Sequence, residues 1–251
     1  MMTDSLPNPL PPVTLKRRAL AWSVHLFTAT GAIWGLLSIL AIQQGQYKLL
    51  LLWVVLAVIV DGFDGILARH FHTKDYATEV DGGLLDNIID YLNYTIVGAL
   101  LVIQARLVPE GLIFPAAALI ALTSALQFSQ TEAKTDPRTR EFYFRGFPSY
   151  WNLLALYLLV LGLNPWINLA VILICVVLQF VPIKFIYPSR TAFYYRLNQG
   201  IVYAWAASAL AGIWMYPNIP GWLIFINLVF VGLYMIMSLL ATLRKPRLAH
   251  G

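Results

Sequence analysis

Several apolar runs of 18 residues or more dominate this 251-residue chain. A run of that length crosses the hydrocarbon of a bilayer as a helix. The short alternating strands that a membrane barrel requires are absent. The sequence therefore predicts an all-α, polytopic integral membrane helical bundle of about eight transmembrane helices. Window reading places them near residues 19–42, 49–69, 82–106, 111–130, 149–163, 165–186, 197–216 and 220–242. Asn164-Pro165 and Asn218-Ile219-Pro220 mark two tight turns between them.

The basic residues test this layout. With the N-terminus in the cytoplasm, 15 of the 17 Lys and Arg fall in cytoplasmic segments, leaving Lys48 and Arg106 outside. Such a bias selects an N-in, C-in topology with an even number of spans. The net charge of +5 then reports topology and attraction to anionic head groups, with no call for a nucleic-acid partner. Residues 1–18 read as a cytoplasmic N-terminal segment without a small-residue cleavage site. Residues 19–243 read as one membrane domain, and 244–251 as a cytoplasmic tail. The one cysteine, Cys175, lies in an apolar run and reads as a small packing residue, so no disulfide framework is expected.

Only 12 residues are acidic, and seven of them crowd into Asp61–Asp90. Asp61 and Asp64 end one apolar run; Asp86 and Asp90 begin the next. Carboxylates at such positions are expensive and are retained for pairing, metal binding or function. Asp61 and Asp64 are three apart and Asp86 and Asp90 four apart, so each pair shares a helix face. Gly65, Ala68 and Gly82 fall on or beside those faces, where small side chains let a bulky ligand reach the backbone. Arg69, one turn past Gly65, is placed to reach a phosphate. An oxygen-only ligand set suits Mg²⁺ or Mn²⁺ better than zinc; His70 and His72 read as solvated loop residues. Metals on a pyrophosphate with a carboxylate acting as base make a phosphoryl-transfer site. A cation-coupled transporter is the rival reading, but its acids tend to lie mid-span beside broken helices. A structural scaffold leaves the pattern unexplained.

The pattern Asp61-x-x-Asp64-Gly65-x-x-Ala68-Arg69, then Gly82-x-x-x-Asp86-x-x-x-Asp90, resembles the CDP-alcohol phosphotransferase signature, with all eight positions filled. The 12 residues between Arg69 and Gly82 exceed the usual spacer of that family. This spacer, the Asp61-Gly62 pair, the two additional spans and the segments at 24–32, 146–152 and 185–190 resemble the bacterial phosphatidylcholine synthase branch. The resemblance implies transfer of the phosphatidyl group of CDP-diacylglycerol to choline, with release of CMP. It implies Asp61, Asp64 and Asp86 as ligands of Mn²⁺ or Mg²⁺. It implies Asp90 as catalytic base and further metal contact, and Asp61, Gly65, Ala68, Arg69 and Gly82 as the CDP and phosphate site. A homodimer in a bacterial inner membrane, its active site facing the cytoplasm, is implied as well. Asp81 matches no signature position, and Asp75 and Glu79 read as solvated spacer residues.

One substrate of such a reaction is a two-tailed lipid and the other is water-soluble, so the site belongs at head-group depth. Lys134, Arg138, Arg140, Arg145, Lys184 and Arg190 lie in loops where they serve either phosphate binding or topology alone. Choline's quaternary ammonium is recognised by aromatic faces or a carboxylate. Tyr91, Tyr94, Tyr143, Phe144, Tyr150, Trp151, Tyr187, Tyr194 and Tyr195 lie near cytoplasmic ends, where interfacial belts also place aromatics. Glu132, Tyr187 and Asn87 are the choline candidates. Serine, inositol or glycerol phosphate remain alternative acceptors.

Overall fold

The computed structural model describes residues 12–130, 141–188 and 190–244. Its helices are α1 (Leu15–Ala29), α2 (Gly31–Gln43), α3 (Tyr47–His70), α4 (Thr73–Tyr76), α5 (Gly82–Asp90), α6 (Val97–Gln104), α7 (Ile113–Phe128), α8 (Trp151–Leu161), α9 (Pro165–Phe180), α10 (Tyr195–Met215) and α11 (Gly221–Leu243). A wide π turn, Tyr91–Ile96, joins α5 to α6. Two three-residue strands, β1 (Tyr143–Arg145) and β2 (Lys184–Ile186), pair antiparallel with Tyr143 opposite Ile186.

Among the described residues, five helical stretches are long and apolar enough to cross a membrane: 15–43, 47–70, 82–104, 110–128 and 221–243. The protein is a helical membrane protein. Three of the eight expected spans differ. α8 has 11 residues and α9 has 16, about 16 and 24 Å at 1.5 Å per residue, against roughly 30 Å of hydrocarbon. The span expected at 165–186 stops at Phe180 because Pro182 follows. The residue before a proline is pushed out of the helical region, and Val181 is extended, with φ −80° and ψ 130°. Residues 184–186 are accordingly strand, not helix. α10 has the length, 21 residues, but opens with Arg196, Asn198 and Gln199, which dilute its apolar character. The first stretch is two helices hinged at Thr30, whose Oγ1 donates back to Phe27 O at 2.6 Å, a local bond that competes with the helical ladder.

The core surrounds α6. Val97, Leu101 and Val102 pack with Leu50 and Val54 of α3, Ile120 of α7, Trp151 and Leu158 of α8 and Ile172 of α9. Lipid removes the hydrophobic force between helices, so association rests on close packing and interhelical hydrogen bonds. Gly98 supplies the first. A Cβ there would sit 2.5 Å from the Trp151 carbonyl carbon, so only glycine lets α6 and α8 cross this closely. Asn168 supplies the second, donating from α9 to Leu107 O at 2.7 Å. Trp205 Nε1 also donates to the Tyr157 hydroxyl at 2.7 Å, Tyr157 donates to Asn227, and Asn227 donates to Ser208 Oγ at 2.7 Å. That network ties α8, α10 and α11 together.

Candidate active site

Asp81 starts the local construction. Its Oδ1 accepts from Gly83 N at 2.9 Å and Leu84 N at 3.0 Å, an N-cap that satisfies first-turn amides. It thereby begins α5 where Asp86 and Asp90 lie one turn apart on the face toward α3. Asp61 of α3 meets them there. Asp61, Asp86 and Asp90 each bring a carboxylate oxygen within 4.8 Å of the others. Asp90 is buried and the other two are half-buried. Asp64 is buried one turn along α3, where Thr28 of α1 faces it, and it is not one of the three that converge. An all-oxygen group of this size fits a hard divalent cation.

The lengthened spacer serves the fold. Tyr76 and Ala77 of the α4 segment pack on Ala21 and Trp22 of α1. Asp75 and Glu79 are not simply solvated: Asp75 lies 3.6 Å from His72 Nδ1, and Glu79 pairs with Arg18. These pairs are about half exposed and therefore weak.

The π turn follows Asp90 directly, and such turns occur often at functional sites. Asn93 supports it, its Nδ2 donating to Ile89 O at 3.1 Å and Gly31 O at 3.0 Å. Tyr94, buried within the turn, donates its hydroxyl to Asp61 Oδ2 at 2.7 Å. That bond fixes the orientation of the Asp61 carboxylate. Hydrogen bonds to charged groups contribute about 1.5–3 kcal/mol. Tyr94→Phe is therefore expected to weaken Mn²⁺ binding roughly tenfold, checked by titrating Mn²⁺ into purified protein; unchanged affinity refutes the orienting role.

A cavity of about 170 Å³ opens beside the cluster. Asp61, Asp90 and Tyr94 form one side, Asn87, Gln127, Phe128 and Gln130 continue it, and Phe144, Pro148, Tyr150 and Tyr187 close it. The aromatic side is continuous. Tyr94 and Tyr150 lie 5.5 Å apart, Tyr150 meets Phe144 edge-on at 6.1 Å, and Phe144 stacks on Tyr187 at 4.5 Å. The β1–β2 pairing makes that last stack, since Phe144 lies in β1 and Tyr187 directly follows β2.

Tyr187 and Asn87 therefore line the cavity, and Glu132 lies outside the described residues, as do Lys134, Arg138 and Arg140. Tyr91 instead donates to Ala121 O at 3.0 Å, Tyr143 and Trp151 are buried, and Tyr194 and Tyr195 are exposed. Gly65 lies under Arg69, whose Nη1 would be 3.3 Å from a Cβ there; Gly82 faces His25 of α1 in the same way at 3.0 Å. Ala68 is half-buried on the same stretch of α3. Lys184 is paired with Glu141 at 3.8 Å, and Arg190 lies over the Phe142 ring at 4.3 Å. Gln127, Phe128, Gln130 and Pro148 were not anticipated. Gln127 carried a signal, because an amide at the end of an apolar span is costly unless it has partners.

The model of the CDP-alcohol phosphatidyltransferase family matches residues 21–182, the stretch that holds all four aspartates. This chain belongs to the CDP-alcohol phosphatidyltransferase family. Within it, the chain is 36% identical to a phosphatidylcholine synthase of Legionella pneumophila over 94% of each chain. It is 45% identical to one of Borreliella burgdorferi over 68% of this chain and 72% of the relative. It is 37% identical to one of Pseudomonas aeruginosa over 76% and 79% respectively. The family match spans α1 through α9, and the Legionella relative extends the likeness across nearly the whole chain.

Proposed function

We propose that this chain is a phosphatidylcholine synthase that transfers the phosphatidyl group of CDP-diacylglycerol to choline and releases CMP. The observation that carries the reading is one cavity with carboxylates on one side and four linked aromatic rings beside them. A quaternary ammonium is held by ring faces and a nearby negative charge. A phosphorylated acceptor asks instead for Arg or Lys, and none lines this cavity among the described residues. The relatives bearing the phosphatidylcholine synthase name support the same acceptor.

Asp90 takes the proton of the choline hydroxyl. The hydroxyl oxygen then bonds to the diacylglycerol-side phosphorus, and the bond from that phosphorus to the bridging oxygen breaks, its electron pair leaving with CMP. Asp61, Asp86 and Asp90 would hold Mn²⁺ or Mg²⁺, with Asp64, one turn along α3, as a further ligand. When bound, the cation neutralises pyrophosphate charge. Asp61, Gly65, Ala68, Arg69 and Gly82 accommodate the CDP moiety. Tyr187 and Asn87, together with Glu132, receive the choline head group. The work belongs to a single membrane domain, residues 19–243, of a homodimer in the bacterial inner membrane, with both termini and the active site on the cytoplasmic side.

The test supplies purified protein with CDP-diacylglycerol and Mn²⁺ and offers choline, serine, inositol or glycerol phosphate separately. CMP release is expected with choline alone. Release with another acceptor keeps the chemistry and replaces the acceptor; release with none overturns the transferase reading.

A further inference from the structure

Behind the aromatic side of the cavity lies a buried polar network of Gln179, Ser149, Ser124 and Gln127. Gln179, near the end of α9, places Nε2 at 2.7 Å from Ser149 Oγ, 3.1 Å from Ser124 Oγ and 3.2 Å from Gln127 Oε1. Ser149 Oγ donates to Gln127 Oε1 at 2.5 Å, and Trp151 Nε1 donates to Ser124 Oγ at 2.7 Å. Gln127 Nε2 donates to Phe147 O at 2.7 Å. Ser124 and Ser149 are completely buried, and Gln179 is 2% exposed.

The network grips the segment 146–150 at its least favourable point. Ser149 has φ +55°, a left-handed conformation costly for a residue with a Cβ, and one that persists only where surroundings enforce it. Gly146 has φ +81°, and a Cβ there would come 2.1 Å from Gln179 O. Gly146 N donates to Ile183 O and Phe147 N to Leu178 O, both at 2.9 Å. The end of α9 thus holds this segment through backbone and side chain together. Pro148 and Tyr150, the neighbours of Ser149, both line the cavity.

We infer that Gln179 is a positioning residue for acceptor selection: through Ser149 and Gln127 it sets the place of Tyr150 and Pro148, and with them the aromatic side of the cavity. The inference rests on the proposed reading that this side receives the acceptor. It separates Gln179 from the transfer chemistry, because the hydrogen bonds of its amide run to Ser149, Ser124 and Gln127. A polar group buried at this depth needs its partners, so removing the amide frees the segment without touching the carboxylates.

Gln179→Met keeps length and apolar volume while deleting the donor. The KM for the acceptor is expected to rise on the order of tenfold, with kcat and the KM for CDP-diacylglycerol within about twofold of wild type. Both are read from CMP release by detergent-purified protein of monodisperse gel-filtration profile. The acceptor is whichever of choline, serine, inositol or glycerol phosphate supports release by wild type. The wild-type arm therefore judges the functional reading, and the variant arm judges this one. Ser149→Ala, assayed in parallel, carries the same expectation. An unchanged acceptor KM, or a fall in kcat alone, overturns the inference. So does failure of both variants to fold, which makes the network a folding element only.

Discussion

Asp90→Asn is expected to give a folded membrane protein whose kcat for phosphatidyl transfer has dropped by about 10²–10⁴-fold. The substitution keeps side-chain volume and a hydrogen-bonding head but removes the carboxylate proposed to take the acceptor's proton. Asp90 ends α5, is buried, and lines the cavity beside Asp61 and Tyr94. A residue so placed faces the cavity rather than bulk water. The loss should fall on kcat more than on either KM, since proton transfer is lost while the aromatic side of the cavity and the residues proposed for CDP remain. CMP release measures the loss, and gel filtration with thermal unfolding verifies the fold. Turnover near wild type in a folded variant refutes the assignment of Asp90 as base.

Removal of divalent metal is expected to abolish turnover completely, with Mn²⁺ or Mg²⁺ restoring it. Three carboxylates gathered within 4.8 Å oppose one another. At that separation two unit charges repel by about 3 kcal/mol at an effective dielectric of 20. A bound cation reverses that term, so it also stabilises the folded state by mass action. Chelation should therefore lower the thermal midpoint by several degrees, independently of any assay of turnover. Asp86→Asn should shrink that metal-dependent shift. Full activity after exhaustive chelation, or a midpoint indifferent to Mn²⁺, contradicts a metal site here.

The carboxylate pairs were legible because two simple rules converge on them. Acids are rare in apolar helices, and spacings of three and four share a face. That identified Asp61, Asp86 and Asp90 without any knowledge of which helices touch. The same rules include Asp64, which lies one turn along α3 between Thr28 of α1 and the charges of Asp86 and Asp61. The helical membrane architecture was equally legible from apolar length. The ends of α8 and α9 were not. Composition alone extends a span through Val181 to Ile186, whereas Pro182 and the pairing of β1 with β2 end it sooner. Nor was the cavity's aromatic side separable from belt residues. Phe144 and Tyr187 lie 43 positions apart in sequence and meet only because those two strands pair. Long-range pairings of that kind leave no periodic trace for a window to find.

The wide turn between α5 and α6 lets a single span obey two phases. Before it, Asp86 and Asp90 must point at α3; after it, Gly98 must point at α8. In a regular helix these demands are locked together, because each residue advances the direction by about 100°. The wider winding of 91–96 shifts that phase. The half that carries the carboxylates and the half that packs on α8 can thus each meet its own neighbour.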